Sequence, residues 1–278
     1  LEKMAPPVYQ ESYDNAGLIT GSREWECRGL LTTLDTTEAV VREAISKGCN
    51  LIVAHHPIVF SGLKRLNGKN YVEKAVITAI KHDIAIYAIH TNLDNVLPGG
   101  VNGRMAKKLG ITGGRPLLLK ERVLRKLYCF VPVDHLEAVR SAIFSAGAGH
   151  IGGYSECSWS AEGMGTFKGG EDTDPFGGQP GRRHSEKEAR VEMVLPAHMS
   201  GAVVKAMTAA HPYEEVAYDL VNLANTHPGV GAGLIGELPA EMEEKAFLAK
   251  LKEVFQTPVV RHTRLTGRPV RRAALCGG

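Results

Sequence analysis

The chain has 278 residues, 44% apolar and 23% charged, a balance that argues against extensive disorder and leaves ample length for a buried core. Thirty-three Lys and Arg against 30 Asp and Glu give a net charge of +3, too mild to argue for nucleic acid. No window approaches the roughly 18 consecutive apolar residues of a membrane span, and Leu1-Glu2-Lys3-Met4 runs into Ala5-Pro6-Pro7 without the pattern of a secretory leader, so a cytoplasmic protein is expected.

Residues 30–110 read as alternating strands and helices. Leu30 to Asp35 is strand-like, and Thr36 or Thr37 caps a helix carrying Val40, Val41, Ala44 and Ile45 at helical spacing, stopped by Gly48. Leu51-Ile52-Val53-Ala54 has the unbroken apolar character of a strand covered on both faces. A polar loop over 61–70 precedes a helix marked by Val72, Val76, Ile77 and Ile80, then a buried strand over 84–89, then a helix over 101–109 ended by Gly110. The economical architecture is a parallel sheet with right-handed crossovers.

The character changes near residue 124. A strand over 127–133 leads to a helix presenting Leu136, Val139, Ile143 and Phe144. Eleven glycines between Gly147 and Gly181 rule out a cheap helix there and suit a loose hairpin or mobile loop. A strand over 191–195, a helix over 203–210 and a strand over 216–221 follow. Pro132, Ala138, Val139, Ala142 and Ala146 recur as Pro196, Ala202, Val203, Ala206 and Ala210 at a constant offset of 64. Two such β-α-β copies form a ferredoxin-like sandwich. The expected organisation is therefore a discontinuous α/β domain with a mainly parallel sheet over 1–123 and 225–278, interrupted by an inserted ferredoxin-like α+β domain over 124–224. In the last segment a loop or short strand over 230–236, an amphipathic helix over 246–255, an edge strand over 259–262 and a strand over 270–276 running into Gly277-Gly278 are expected. A strand entering two glycines ordinarily continues into a turn and helix, so the second half of the α/β domain reads as incomplete.

The strongest chemical signal is Ala54-His55-His56-Pro57, two imidazoles at the carboxyl end of an apolar strand, where open parallel sheets bind their ligands. Neighbours in an extended strand point to opposite sides, so the pair serves one metal if the chain turns at Pro57, or each serves a different metal. His90-Thr91-Asn92-Leu93-Asp94 brings a further histidine and a carboxylate to the end of the next strand. Asp94 is the metal ligand of the two, able to bridge two cations; His90 either orients Asp94 or a bound water, or moves protons. Asp14-Asn15 before Gly17, and Asp35 after the first strand, are weaker constellations that turn or cap chemistry explains. Gly99-Gly100-Val101-Asn102 is either a loop-to-helix turn or an anion site, and Lys64 and Arg65 read as solvated loop residues. His211-Pro212-Tyr213-Glu214-Glu215 is read as a structural turn in preference to a second metal or acid–base site. Cys27, Cys49, Cys129, Cys157 and Cys276 are scattered, odd in number and lack C-x-x-C, which fits reduced thiols. No P-loop, nucleophile elbow or H-E-x-x-H occurs.

Tyr13 to Leu18, Ala54 to Pro57, His90 to Asp94 and Gly99 to Asn102 together resemble the GTP cyclohydrolase 1 type 2 homologue family, the dinuclear metal centre proteins. The stretch from His211 to Asp219 is similar to a motif of members carrying an inserted PII-like domain. The resemblance covers nearly the whole chain. It implies two α/β halves around two divalent metal ions (zinc, iron or manganese), toroidal homohexamers, and hydrolytic opening of the guanine ring of GTP. By that likeness His55, His56 and Asp94 are metal ligands and His90 lies beside them. Tyr13 stands where the family usually has tryptophan. The family adds a histidine and a glutamate from beyond a Cys-Gly-Gly strand end, a segment with no counterpart in this sequence.

Two functions follow as expectations. One is a dinuclear-metal-dependent hydrolase acting on a nucleotide or related small molecule, with His90 moving protons. The other is a non-enzymatic metal- or ligand-binding ring protein whose inserted domain is a sensor or lid. Nucleic-acid binding is disfavoured, because the basic residues are dispersed and lack an aromatic platform.

Overall fold

The structure, a computed structural model, describes residues 1–277; Gly278, the second glycine of the expected strand end, lies outside the described residues. The chain divides into two compact units, one made of residues 1–120 and 228–278, the other of 121–227.

The first unit opens with β1 (Gly17–Thr20), β2 (Leu30–Thr33), α1 (Glu38–Ser46), β3 (Leu51–Ala54), α2 (Tyr71–Lys81) and β4 (Ala85–Ala88). Thr37 caps α1 by accepting the Val40 N–H, and Gly48 just beyond the helix turns left-handed with φ 68°. At α2, Asn70 and Glu73 form a reciprocal cap: Asn70 Oδ1 accepts the Glu73 N–H, and Asn70 Nδ2 donates to Glu73 Oε1. The strands form one sheet in the order β1-β4-β3-β2. β2, β3 and β4 are mutually parallel, as the alternating pattern requires. β1 joins β4 antiparallel, from a segment whose Asp14-Asn15 and Gly17 suggested only a turn. Ile52 and Ile86 are wholly buried at the sheet centre and pack with Val41, Ala44 and Ala79 of the two helices.

Four further elements complete this segment: α3 (Thr91–Asp94), α4 (Val101–Leu109), β5 (Thr112–Arg115) and β6 (Leu118–Leu119). α4 ends at Gly110 in the left-handed conformation, φ 72°.

The second unit runs β7 (Leu124–Pro132), α5 (Leu136–Ser145), β8 (Trp159–Lys168), β9 (Arg183–Pro196), α6 (Ser200–Ala210) and β10 (Tyr218–Asn222). Its sheet order is β10-β7-β9-β8, and every pair is antiparallel. Along β7, Leu127, Cys129 and Val131 alternate inward and are fully buried, meeting Val139 and Ile143 of α5 and Met207 of α6. The offset of 64 has a local cause. Pro132 and Pro196 each end a strand and open a single 3-10 turn that leads into α5 or α6. Of the hairpin or loop expected in the glycine-rich stretch, the hairpin forms: despite Gly163 and Gly165, β8 pairs with β9 over its ten residues, from Trp159 to Lys168. Pairing supplies there what the side chains do not.

The chain then returns to the first unit with β11 (Gly231–Ala232), β12 (Leu234–Met242), α7 (Glu244–Phe255) and β13 (Val270–Leu275). β12 lies between β13 and β5, antiparallel to both. The parallel arrangement is thus confined to the first sheet, and the molecule is a mixed α/β protein with several sheets. The edge strand expected at 259–262 does not form, and Val259 is 67% exposed. No disulfide joins the cysteines among the described residues. No helix among the described residues is long and apolar enough to cross a membrane.

His211 closes α6 and corresponds to a turn, not to a ligand cluster. Its Nε2–H donates to the Phe130 carbonyl at 2.9 Å and its Nδ1 accepts the Tyr213 N–H at 3.1 Å, which fixes the neutral ring. Burial holds its pKa below the ordinary value. As pH falls below about 6.5, the unfolded chain takes up a proton that the folded one refuses, so stability falls. Thermal unfolding between about pH 7.5 and 5.5 should therefore show a larger acid-side loss in the native protein than in His211→Gln. His198 and His227, also held low by burial, remain in both. Parallel curves would contradict this account of His211.

Candidate metal centre

β3 and β4 are adjacent and parallel, with Ala54 opposite Ala88. The backbone bonding continues for one or two residues past each, with the chain bending at His55 and His56: the His55 and His56 N–H groups donate to the Thr33 and Leu34 carbonyls, and the Ile89 N–H donates to the Ala54 carbonyl. This places His55, His56 and His90 together at one sheet edge. Their ring centroids lie 5.0, 5.3 and 5.4 Å apart, and they offer ligand atoms within 4.8 Å of one another.

Each ring is oriented by a hydrogen bond to Nδ1. His55 Nδ1 lies 2.9 Å from the Ile89 carbonyl, an obligate acceptor, so this nitrogen carries the proton. His56 Nδ1 meets Asp35 Oδ1 at 2.8 Å, and His90 Nδ1 meets Asp14 Oδ1 at 2.8 Å. Nε2 is left as the free donor atom of all three, the arrangement in which an outer carboxylate or carbonyl fixes the tautomer of a metal-binding imidazole. Asp14 and Asp35, read from sequence as turn or cap residues, are thereby partners of the histidines.

Asp14 is the more deeply set; its side chain has no exposed surface. It also accepts the Thr91 N–H at 3.0 Å and the Thr91 hydroxyl. Burial works to raise its pKa, but the bonds from Thr91, His90 and the Asn15 N–H outweigh that and hold the carboxyl below the ordinary range. It stays an anion facing His90.

Asp94 ends the four-residue helix α3, which Asn92 anchors: Asn92 Oδ1 accepts the His90 N–H and Asn92 Nδ2 donates to the Ala5 carbonyl. Asp94 is 7% exposed, and neither carboxylate oxygen has a hydrogen-bond partner. Burial raises its pKa, opposed by His55 first and then His90. The group with metal-ligand spacing among the described residues is the three imidazoles; Asp94, the expected ligand, is not in it, but its orphaned buried carboxylate, whose charge His55 and His90 favour, is costly without a cation. The three imidazoles therefore fit a divalent metal ion.

Gly99 to Asn102 serves packing. A Cβ on Gly100 would stand 1.8 Å from the Val96 carbonyl oxygen. Buried Asn102 donates to the Asp94 carbonyl and accepts the Gly277 N–H. Tyr13 and Phe60, 65% and 50% exposed, flank the cluster, with Phe60 6.5 Å from His90 and 6.4 Å from Tyr13. Lys64 and Arg65 are exposed loop residues. His211 to Glu215 lies in the second unit and joins no ligand group among the described residues.

Because the folded state raises the Asp94 pKa, ionisation at neutral pH weakens the metal-free fold. Asp94→Asn should raise the neutral-pH stability of the metal-free protein and lower zinc affinity at least about tenfold, read by chelator competition. A metal-free variant destabilised by more than about 1 kcal/mol, or unchanged zinc affinity, would contradict the role given to Asp94.

The profile of the Duf34/NIF3 (NGG1p interacting factor 3) family matches residues 1–278. Proteins called GTP cyclohydrolase 1 type 2 homolog from Halalkalibacterium halodurans and Bacillus subtilis are 40% and 39% identical over 278 residues, which is all of this chain and 74% of each relative. The crystal structure of a Bacillus cereus protein related to NIF3 superposes with a TM-score of 0.83 at 40% identity, covering 100% of this chain and 74% of that one. The Staphylococcus aureus protein SA1388 gives 0.69 at 30% identity, covering 100% and 73%. On the full-length profile match and these relatives, the chain belongs to the Duf34/NIF3 family.

Proposed function

We propose that this chain is a divalent-metal-dependent hydrolase acting on a heteroaromatic ring such as that of a nucleotide. The observation that carries the reading is the unpartnered, buried Asp94 carboxylate beside imidazoles whose Nδ1 atoms are already engaged. His55, His56 and Asp94 would hold the metal, and a two-ion centre is the form we favour. Zinc, iron and manganese all accept such donors. Bound divalent cations supply Lewis-acid polarisation and lower the pKa of coordinated water.

The remaining steps belong to the chain's own side chains. His90 Nε2 accepts a proton, and the Asp14 carboxylate on Nδ1 stabilises the resulting imidazolium and fixes its orientation. Thr91 and the Asn15 N–H hold Asp14 for that task. Tyr13 and Phe60 offer exposed aromatic faces beside His90 on which a planar base stacks. The relatives' name, GTP cyclohydrolase 1 type 2 homolog, supports GTP as the first substrate to try.

We read the 121–227 unit as a ferredoxin-like, PII-like insertion. Its β-α-β-β-α-β chain order and its antiparallel sheet order β10-β7-β9-β8 support this. The exposed Leu117, Leu118 and Leu119 support a homo-oligomer, taken as the hexamer of the resemblance.

The test is turnover of GTP, followed by loss of the guanine absorbance, in metal-free protein titrated with zinc, iron(II) or manganese. Activity should appear with metal and vanish on chelation. His90→Gln should lose about 10²–10⁴-fold in kcat while metal affinity changes little. Turnover that survives complete metal removal would overturn the reading.

A further inference from the structure

The second unit contains a cavity of about 480 Å³ that the metal centre does not explain. All of its lining residues lie between Phe130 and Ala217, within that one unit. Its walls are aromatic: Phe130 from β7, Phe167 from β8, Phe176 from the following loop, and Tyr213 after α6. Tyr213 is 5.9 Å from Phe167 and 6.0 Å from Phe176 between ring centroids.

Between these rings stands Glu188, 8% exposed. The Tyr213 hydroxyl donates to its Oε1 at 2.8 Å. The other oxygen occupies space that only glycine leaves open, since a Cβ on Gly165 would stand 2.0 Å from Glu188 Oε2. Burial, then the Glu188 hydrogen bond, raises the Tyr213 phenol well above its ordinary pKa, so it remains a donor to the carboxylate. Glu214 and Glu215 also line the cavity, and the lone basic side chain there, Lys168, is exposed.

The charge and the wall chemistry select the occupant. An anion meets Glu188 and the negative faces of three or four rings. A bare metal ion finds too few lone pairs, and the residues here join no group with metal-ligand spacing among those described. An organic cation gains from both components at once: its charge from the buried carboxylate and its alkyl groups from the aromatic faces. The volume is that of a small-molecule site. We propose that this cavity is a binding site for a small organic ammonium ion, seated between Phe167, Phe176 and Tyr213 with its charge on Glu188. The inference is independent of the metal centre and holds whether or not that centre is catalytic.

Titration calorimetry of the full chain, with chelator present, tests it with three probes of one shape: choline, its neutral carbon isostere 3,3-dimethylbutan-1-ol, and the anion 3,3-dimethylbutanoate. Choline should saturate one site in the millimolar range or tighter, with the neutral isostere at least about tenfold weaker and the anion not bound. Glu188→Gln should cost choline about tenfold or more. Phe176 is 52% exposed, so Phe176→Leu leaves the core intact and should also cost several-fold. Equal binding of the neutral isostere, tighter binding of the anion, no choline binding up to about 50 mM, or native choline affinity in both variants would each overturn the proposal.

Discussion

Ala54 and Ala88 stand opposite each other in a parallel pair of strands, and the candidate centre depends on that register. A hydrophobic strand buried on both faces has only its ends at which to place polar side chains. Parallel neighbours put those ends on the same edge. His55 and His56 leave one strand as His90 leaves the next, so the fold delivers three imidazoles to one place. The wholly buried Ile52 and Ile86 hold the strands that carry them.

Orientation is a separate requirement, met from further out. Asp35 reaches back from the end of β2, Asp14 from the segment before β1, and Ile89 offers its carbonyl from the end of β4. The sheet order β1-β4-β3-β2 brings all three to the same edge. The cost falls on Asp94, buried with no hydrogen-bond donor on either oxygen. A carboxylate in that state is what a protein keeps when a cation is to occupy the site. The second unit shows a related economy. It buries Glu188 against Tyr213, gives up a side chain at Gly165 to do so, and leaves aromatic walls around the result.

Much of this was legible in the sequence because the signals are local. An apolar run ending in His-His-Pro, and the next ending in His-Thr-Asn-Leu-Asp, carry their own meaning. α4 is bounded by Gly100 and Gly110, and the glycine at its C-terminal end adopts the left-handed conformation that such an ending requires. The partners of the histidines were not legible in the same way. Asp14 is 76 positions from His90, and only the antiparallel pairing of β1 with β4 makes them neighbours. In β8 the glycines leave the sequence undecided between hairpin and loop, and cross-strand pairing settles it as a hairpin. The segment 259–262 misled for the opposite reason, since β-branched residues form no strand without a neighbour to receive them.

The central claim is that the strand-end cluster is a metal site assembled from His55, His56 and Asp94, with His90 held by Asp14 beside it. Anomalous diffraction at the zinc edge, from crystals of the protein grown with zinc, tests it most directly. The account predicts an anomalous peak bonded to Nε2 of His55, Nε2 of His56 and a carboxylate oxygen of Asp94, with His90 Nδ1 still on Asp14. Zinc bound elsewhere with no peak at this sheet edge, or a peak there that leaves Asp94 unligated, would contradict it.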